Sequence, residues 1–321
     1  MRTIKKVASH IFIDGFGGMT QGLFATLIIG TMIQQIGLLI GGSTGNVIYL
    51  LGKAAAALTS AGIGVGVAVK YGESPLVTVS AAVAAMVGGY AGKITGGTFF
   101  VDGNAVLAGP GEPLGAFIAA FAGITCGHLV SGKTKVDIIV TPVITIGAGS
   151  VVGLLVGPPI SQMMTGLGSI INWATEQRPF IMGIVVSVVM GMVLTLPISS
   201  AALGIILNLS GLAAGAATIG CCCNMVGFAV ASYRENKFGG LVAQGLGTSM
   251  LQVPNIMRHP LIWLPVIFSS AILGPVSTII ANMQNNATGS GMGSAGLVGQ
   301  ITTYQTMIAY DDPKLVIIKI I

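Results

Sequence analysis

Long apolar stretches alternate along this chain with short polar or glycine-rich breaks. The four longest stretches without Asp, Glu, Lys or Arg lie between Asp14 and Lys53, Asp137 and Glu176, Arg178 and Arg234, and Arg258 and Asp311. A membrane-spanning helix needs about 20 mostly apolar residues, so several of these stretches are long enough for two crossings. Because they are continuous and rich in Ala, Gly and Leu rather than alternating, a transmembrane β-barrel is excluded.

The hydrophobic pattern predicts about nine to ten membrane segments. The clearest predicted spans are Met19–Ile40, Asn46–Val69, Pro75–Gly92, Leu114–Val130, Ile138–Val156, Phe180–Leu196 and Leu261–Met283. Further membrane segments are expected at Ile198–Ser232 (one or two), Leu241–Ile256 (a span or a re-entrant hairpin) and Ile301–Ala309. Glycine-rich stretches interrupt the pattern at Lys93–Pro113 and Gln284–Gly299. We therefore predict an all-α polytopic membrane protein with re-entrant or broken helices.

Two segments have the pattern of helices that lie on the membrane surface. In residues 1–17, Ile4, Val7 and Ile11 recur at helical spacing among basic residues, which predicts an amphipathic interfacial helix. The segment Pro158–Arg178 is weakly amphipathic and carries Trp173, which suits headgroup depth. Residues 18–321 are then expected to form a single integral membrane domain.

Composition narrows the class of protein. Only 7% of the 321 residues are charged, against roughly 25% in soluble domains. This excludes a soluble enzyme, a disordered protein and a nucleic-acid-binding protein. The cysteines, Cys126 and Cys221 to Cys223, lie in apolar segments and are interpreted as buried small hydrophobes, with a thiolate metal site as the alternative. We expect no cofactor and no bound metal ion.

Basic residues in short loops predict the topology. They are Arg2, Lys5, Lys6, Lys70, Lys133, Lys135, Arg234 and Lys237. Because cytoplasmic loops carry an excess of Lys and Arg, the amino terminus is predicted to be cytoplasmic. Counting spans from there also places Lys70 and the Lys133–Lys135 loop inside. After residue 198 the topology stays open, because one re-entrant segment would invert everything that follows.

The most informative polar segment runs from Gly96 to Pro113. It holds Asp102, Asn104 and Glu112 between two predicted spans, and its Gly and Pro residues prevent a regular helix. Carboxylates at membrane depth are costly and are functional candidates by default. We predict that these three side chains bind the hydroxyl groups of a solute. The alternative is an ordinary external loop with solvated acids.

Other candidate binding residues lie at helix breaks. His128, near the end of a predicted span, could be a proton or hydroxyl partner, or an interfacial histidine. The remaining candidates are hydroxyl and amide residues beside Pro197 and Pro254, namely Thr195, Ser199, Ser200, Thr248, Gln252 and Asn255. For Thr195, Ser199 and Ser200, the alternative is a kink or tight connection that is packed by Ser and Thr. No nucleotide-binding, zinc or nucleophile-elbow motif occurs, so we expect no catalytic residue and no intrinsic enzyme activity.

Four runs of the sequence resemble one membrane family. They are GPGEPLGA at Gly109–Ala116, KTKVDI at Lys133–Ile138, LTLPISSAA at Leu194–Ala202 and GLGTSMLQVPN at Gly245–Asn255. The family is the bacterial phosphotransferase-system EIIC family, in the branch of perfringolysin regulator-like proteins (PfoR-type). The resemblance implies a homodimeric permease of the bacterial cytoplasmic membrane, in which a substrate-carrying part moves against a scaffold.

The resemblance also implies partners and a site. A separate EIIB, phosphorylated by EIIA, would pass phosphate to the sugar at the cytoplasmic face. The early spans would form the scaffold, with site elements at about 93–130 and 180–300. Glu112 would bind the sugar, because Gly109–Glu112 has the Gly-x-x-Glu spacing of related proteins. His128 is only a loose substitute for their histidine. The alternative function is a membrane sensor or regulator, or a transporter uncoupled from phosphorylation, that keeps the EIIC fold.

The predicted orientation can be tested by cysteine labelling. In a background without the native cysteines, Ser43→Cys should react in intact cells with an impermeant reagent, whereas Ser9→Cys should stay unlabelled until the cells are opened. Labelling at position 9 but not at position 43 would contradict the topology.

Overall fold

The computed structural model describes residues 14–107 and 109–320. The predicted interfacial helix of residues 1–17 therefore lies almost wholly outside the described residues. The chain divides into two compact units, with the boundary between Met163 and Met164.

Unit 1 is built from helices with one small hairpin near its middle. Its elements are α1 (Phe16–Ile40, with a π-helical turn at Phe24–Ile28), α2 (Gly42–Ala57), α3 (Thr59–Lys70), α4 (Pro75–Gly89), α5 (Ala91–Thr95), the antiparallel strands β1 (Phe100–Val101) and β2 (Asn104–Ala105), α6 (Pro113–Val130) and the first part of α7 (Asp137–Thr175). Gly41, with a φ of +66°, lets the chain reverse between α1 and α2.

Unit 2 has more short and broken elements. They are α8 (Pro179–Thr195), α9 (Ser200–Ile206), α10 (Gly211–Ala231), α11 (Tyr233–Val242), α12 (Val253–Arg258), α13 (Pro260–Ile280), α14 (Ala287–Ser290), α15 (Val298–Met307) and α16 (Pro313–Ile320). Between α11 and α12 lie a π-helical turn (Ala243–Gly247), an extended Thr248 and a 3-10 turn (Ser249–Gln252). Helix α10 packs against both α8 and α13.

The prediction of an all-α polytopic membrane protein with broken helices is confirmed. Within the described residues, five helices are long and apolar enough to cross a membrane: α1, α6, α7, α10 and α13. Helices α2 and α3, bent by 53°, can form a sixth span, and α4 and α8 are shorter apolar helices. The long spans are fewer than the predicted segments, because several of the latter are broken into short elements.

The structure excludes one alternative for Leu241–Ile256 and joins two other predicted segments. Leu241–Ile256 is not a single helical span, because the chain becomes extended at Thr248 before α12 begins. Conversely, the predicted span Ile138–Val156 and the amphipathic segment after it form one helix, α7, despite Pro158 and Pro159. Helix α7 has 39 residues.

Small residues let the backbones of neighbouring helices touch. A Cβ atom on Gly22 of α1 would lie 2.1 Å from the carbonyl oxygen of Gly62 in α3. In unit 2, a Cβ atom on Gly220 of α10 would lie 1.9 Å from the carbonyl oxygen of Ser187 in α8. Both contacts are too close for any side chain, as expected where helices associate by close packing in lipid.

We predict that Gly22→Ala destabilises the protein. The added methyl group must push α1 away from α3, and overpacking of this kind costs about 1–3 kcal/mol. Gly147→Ala is the matched control, because a Cβ atom there has nothing within 4 Å and alanine is the better helix former. Thermal unfolding in mild detergent should show a lower midpoint for Gly22→Ala alone. Equal midpoints for the two variants would contradict the close contact.

Candidate functional site

In unit 1, the Gly-x-x-Glu loop is fixed by backbone contacts. The Oγ of Ser60, on α3, donates to the carbonyl oxygen of Pro110 at 2.9 Å. The backbone N–H of Glu112 donates to the carbonyl oxygen of Gly89, the last residue of α4, at 2.7 Å. Gly111 has a φ of +77°, and a Cβ atom there would lie 2.4 Å from the Oγ of Ser60. The glycine therefore allows the loop to lie against α3.

Tyr90 anchors the start of the same loop. Its ring is buried, its hydroxyl donates to the carbonyl oxygen of Gly109, and Phe99 packs against it with the ring centroids 5.3 Å apart. The ammonium group of Lys93 lies 5.4 Å from the centroid of the Tyr90 ring, and burial lowers the pKa of Lys93. A cation and an aromatic ring thus lie beside the segment that carries Glu112.

Glu112 occupies the position just before α6. It is half-buried, and its side chain makes no capping bond to its own helix. Its carboxylate is at the amino-terminal end of an 18-residue helix, where the helix dipole favours negative charge. The loop is thus held by main-chain bonds, and the acid is half-buried at a helix terminus.

Asp102 and Asn104 lie at the exposed tip of the β1–β2 hairpin. Asp102 and Gly103 have φ values of +50° and +77°, the combination that a two-residue hairpin turn requires. The side-chain amide of Asn104 donates to the carbonyl oxygen of Asp102 at 3.3 Å. Turn geometry therefore accounts for both residue types, and their binding role stays a prediction.

His128 lies at the other end of α6 from Glu112. The two residues are 16 positions apart, which corresponds to about 24 Å along a helix, so the structure does not bring them together. His128 Nδ1 instead lies 3.0 Å from a carboxylate oxygen of Glu73, whose side chain is only 9% exposed. Sequence analysis missed this pair, because the residues lie 55 positions apart and Glu73 follows an ordinary turn.

The same end of unit 1 also holds the start of α1. Burial and then the nearby carboxylate of Asp14 raise the pKa of Tyr71 to about 12. Ser74 and Ser131 share a hydrogen bond of 2.9 Å, which joins the α3–α4 turn to the α6–α7 loop. The two basic loops predicted to be cytoplasmic thus lie at the same end as the start of α1.

In unit 2, three breaks between helices meet beside α10. The breaks are residues 196–199, 245–249 and 291–297, and we call this meeting point the polar core. Its links are Thr195 Oγ1 to Ser249 Oγ at 2.8 Å, Ser294 Oγ to the Gly245 carbonyl oxygen at 2.5 Å, and Ser200 Oγ to the Gly291 carbonyl oxygen at 2.6 Å. Short hydrogen bonds thus join segments that are 49 to 91 residues apart.

Asn224 of α10 is the central side chain of the polar core. Its Oδ1 accepts hydrogen bonds from Thr195 Oγ1 and from Trp263 Nε1, both at 3.1 Å. Its Nδ2 donates to the Gly220 carbonyl oxygen at 3.1 Å and to Ser270 Oγ at 3.2 Å. An amide has two donors and two acceptor positions, so every position of this buried group is filled. Asn224 ties α8 and α13 to α10.

Two predicted site residues cap short helices. Ser199 Oγ accepts a hydrogen bond from the N–H of Ala202 at 3.2 Å, and Thr248 Oγ1 accepts one from the N–H of Met250 at 3.2 Å. Both side chains are buried. Helix capping therefore explains in part why hydroxyl residues occupy these two positions.

The amide residues after the second break form a chain of hydrogen bonds. Asn255 donates to Gln252 at 2.9 Å, Gln252 to Gln244 at 2.8 Å, and Gln244 to Ser232 Oγ at 2.7 Å. Gln252 and Gln244 are buried, whereas Asn255 is exposed. This chain joins the polar segment before α12 to the end of α10.

Sequence analysis gave too little weight to the segment 284–299. Most of it is buried, including every residue from 289 to 296. Asn285 Nδ2 donates to Thr218 Oγ1 of α10 at 2.8 Å and to the Gly299 carbonyl oxygen at 3.2 Å. The sequence feature that could have indicated a buried polar segment here is the charge-free run of Asn, Ser and Gly directly after a predicted span.

Across the described residues, no group of three His, Cys, Asp or Glu side chains could hold a metal ion. The four cysteines are free thiols. The polar core is thus made of hydroxyl, amide and carbonyl groups, which suit hydrogen bonding to an uncharged solute.

Comparison with known proteins identifies the family. In these comparisons, no curated protein and no solved structure matched the chain. The family model "Phosphotransferase system, EIIC" matches residues 13–321. This match includes the Gly-x-x-Glu loop of unit 1 and the polar core of unit 2, and the family implies a membrane component that works with EIIB and EIIA partners. The chain therefore belongs to the phosphotransferase-system EIIC family.

Proposed function

We propose that this EIIC protein is the permease of a phosphotransferase-type uptake system, and that it binds and translocates a sugar or a sugar-like solute by alternating access. The observation that carries the proposal is the meeting of three helix breaks at the polar core. Irregular backbone at membrane depth persists only where it is buried in protein or lines a polar cavity. Hydroxyl and amide side chains placed there suit the hydroxyl groups of a sugar.

The phosphoryl transfer itself is assigned to a separate EIIB. The permease would hold the solute at the cytoplasmic face of the bacterial membrane, where EIIB transfers its phosphoryl group to a sugar hydroxyl. The cytoplasmic orientation of the amino terminus is part of this proposal. It is supported by the loops of Lys70 and Lys133, which lie at the end of unit 1 where α1 begins.

Within unit 1, Glu112 is proposed to accept hydrogen bonds from solute hydroxyls. A hydrogen bond to a charged acceptor is worth about 1.5–3 kcal/mol. Glu112→Gln keeps the shape but removes the charge, so binding should weaken by roughly 10- to 100-fold if two hydroxyls are held. Isothermal calorimetry with a solute found in a thermal-shift screen of hexoses and hexitols measures the change.

The control for this prediction is Glu176→Gln, because Glu176 is exposed. It should change the affinity by less than about threefold. Glu73→Gln would be a poor control, since Glu73 is largely buried and pairs with His128. Parent-like binding by folded Glu112→Gln would make the glutamate structural. Solute uptake that does not require EIIB would favour the uncoupled transporter instead.

The protein is also proposed to be a homodimer whose scaffold includes the amino-terminal helices. The early helices are rich in small residues, and several large apolar side chains of α1 and α2, such as Leu39 and Leu51, are exposed in the single chain. Native mass spectrometry in mild detergents should give twice the 32.4 kDa mass of one chain. A monomeric mass in every detergent would count against the dimer.

A further inference from the structure

Two buried oxygen atoms on one face of α15 have no hydrogen-bond partner in the described part of the chain. They are Oε1 of Gln300 and Oγ1 of Thr303. The Thr303 side chain is fully buried. The two residues are three positions apart, so they are neighbours on the helix surface, roughly 5–6 Å apart at Cβ.

The amide nitrogen of Gln300 is also poorly satisfied. Within the described residues, Gln300 Nε2 donates a hydrogen bond to the Cys222 sulfur of α10, with Nε2 and Sγ 3.6 Å apart. Sulfur is a weak acceptor, so both ends of the carboxamide are free for a stronger partner. By contrast, the neighbouring Thr302 hydroxyl donates to the Val298 carbonyl oxygen at 2.7 Å.

Unpartnered polar atoms in a protein interior cost free energy and call for an explanation, such as a ligand that occupies the site. A carboxamide offers an acceptor and a donor side by side, and the Thr303 hydroxyl can act as either. Together they match neighbouring hydroxyl groups on a small molecule. These two side chains therefore suit a ligand that both donates and accepts hydrogen bonds.

The surroundings also limit the charge of the ligand. No Asp, Glu, Lys or Arg occurs between Arg178 and Arg234, which includes α10, or between Arg258 and Asp311, which includes α15. A buried charge without a partner is very costly. A metal ion or a charged sugar would find no compensating side chain on either helix.

We propose that Gln300 and Thr303 of α15, with Gln300 against Cys222 of α10, form a subsite for the hydroxyl groups of an uncharged polyol or sugar. The assignment rests on the proposed permease function and extends it in two ways. It places solute-binding groups on α15, and it restricts the solute to an uncharged one.

The first test measures the purified protein without solute. Thr303→Val has nearly the same shape and removes an unpartnered hydroxyl, so its melting temperature should equal or exceed that of the parent. The matched control is Thr218→Val, a buried isosteric change on α10 that removes one of the hydrogen-bond partners of Asn285 and should lower the melting temperature. A fall for Thr303→Val as large as that for Thr218→Val would overturn the subsite.

The second test measures ligand-induced thermal stabilisation with a panel of uncharged hexoses, hexitols and N-acetylhexosamines. Glucosamine and glucuronate serve as the charged counterparts. Parent protein should be stabilised by an uncharged member and by neither charged one. Thr303→Val and Gln300→Leu should each bind that member more weakly, by about three- to tenfold for each hydrogen bond lost.

The outcomes separate the subsite from the permease function. Parent-like affinity in both variants would overturn the subsite and leave the permease proposal intact. Stabilisation by glucosamine or glucuronate would overturn the restriction to uncharged solutes. A parent that no panel member stabilises would count against the permease proposal and against an uncharged sugar as the occupant.

Discussion

Every buried backbone group in this protein needs a hydrogen-bond partner, because lipid provides none. Regular helices, such as the long apolar ones of this protein, meet this requirement through their own backbone hydrogen bonds. The breaks in unit 2 cannot, so side chains from distant parts of the sequence serve them. Ser200 and Ser294 donate to the carbonyl oxygens of Gly291 and Gly245, which lie in irregular segments. The arrangement of unit 2 around α10 depends on these bonds.

The two candidate regions are built differently. In unit 1 the Gly-x-x-Glu loop is fixed through its backbone, by Ser60 and by the carbonyl of Gly89, and the Glu112 side chain does not cap the helix it precedes. In unit 2 the candidate side chains themselves hold the structure, as with Thr195 and Asn224. Substitutions in the polar core will therefore mix effects on stability with effects on binding.

Hydropathy predicted the fold class and most of the spans, because long apolar stretches without charged residues fit membrane-spanning helices and few other structures. It also located the breaks near Pro197 and Thr248. Sequence analysis could not pair them, since Thr195 and Ser249 are 54 residues apart and neither carries a distinctive motif. It also placed Glu112 and His128 in one candidate set, although α6 separates them. The unpartnered oxygens of Gln300 and Thr303 could be recognised only from side-chain positions.

The absence of charged side chains from α8 to α10 and from α13 to α15 has an electrical consequence. A membrane potential does work only on charge, about 2.3 kcal/mol per elementary charge moved through 100 mV. Movement of these segments across the bilayer would carry no formal side-chain charge at neutral pH. With an uncharged solute, such a transport step would therefore be nearly independent of the membrane voltage, and its direction would be set by concentration and by phosphorylation.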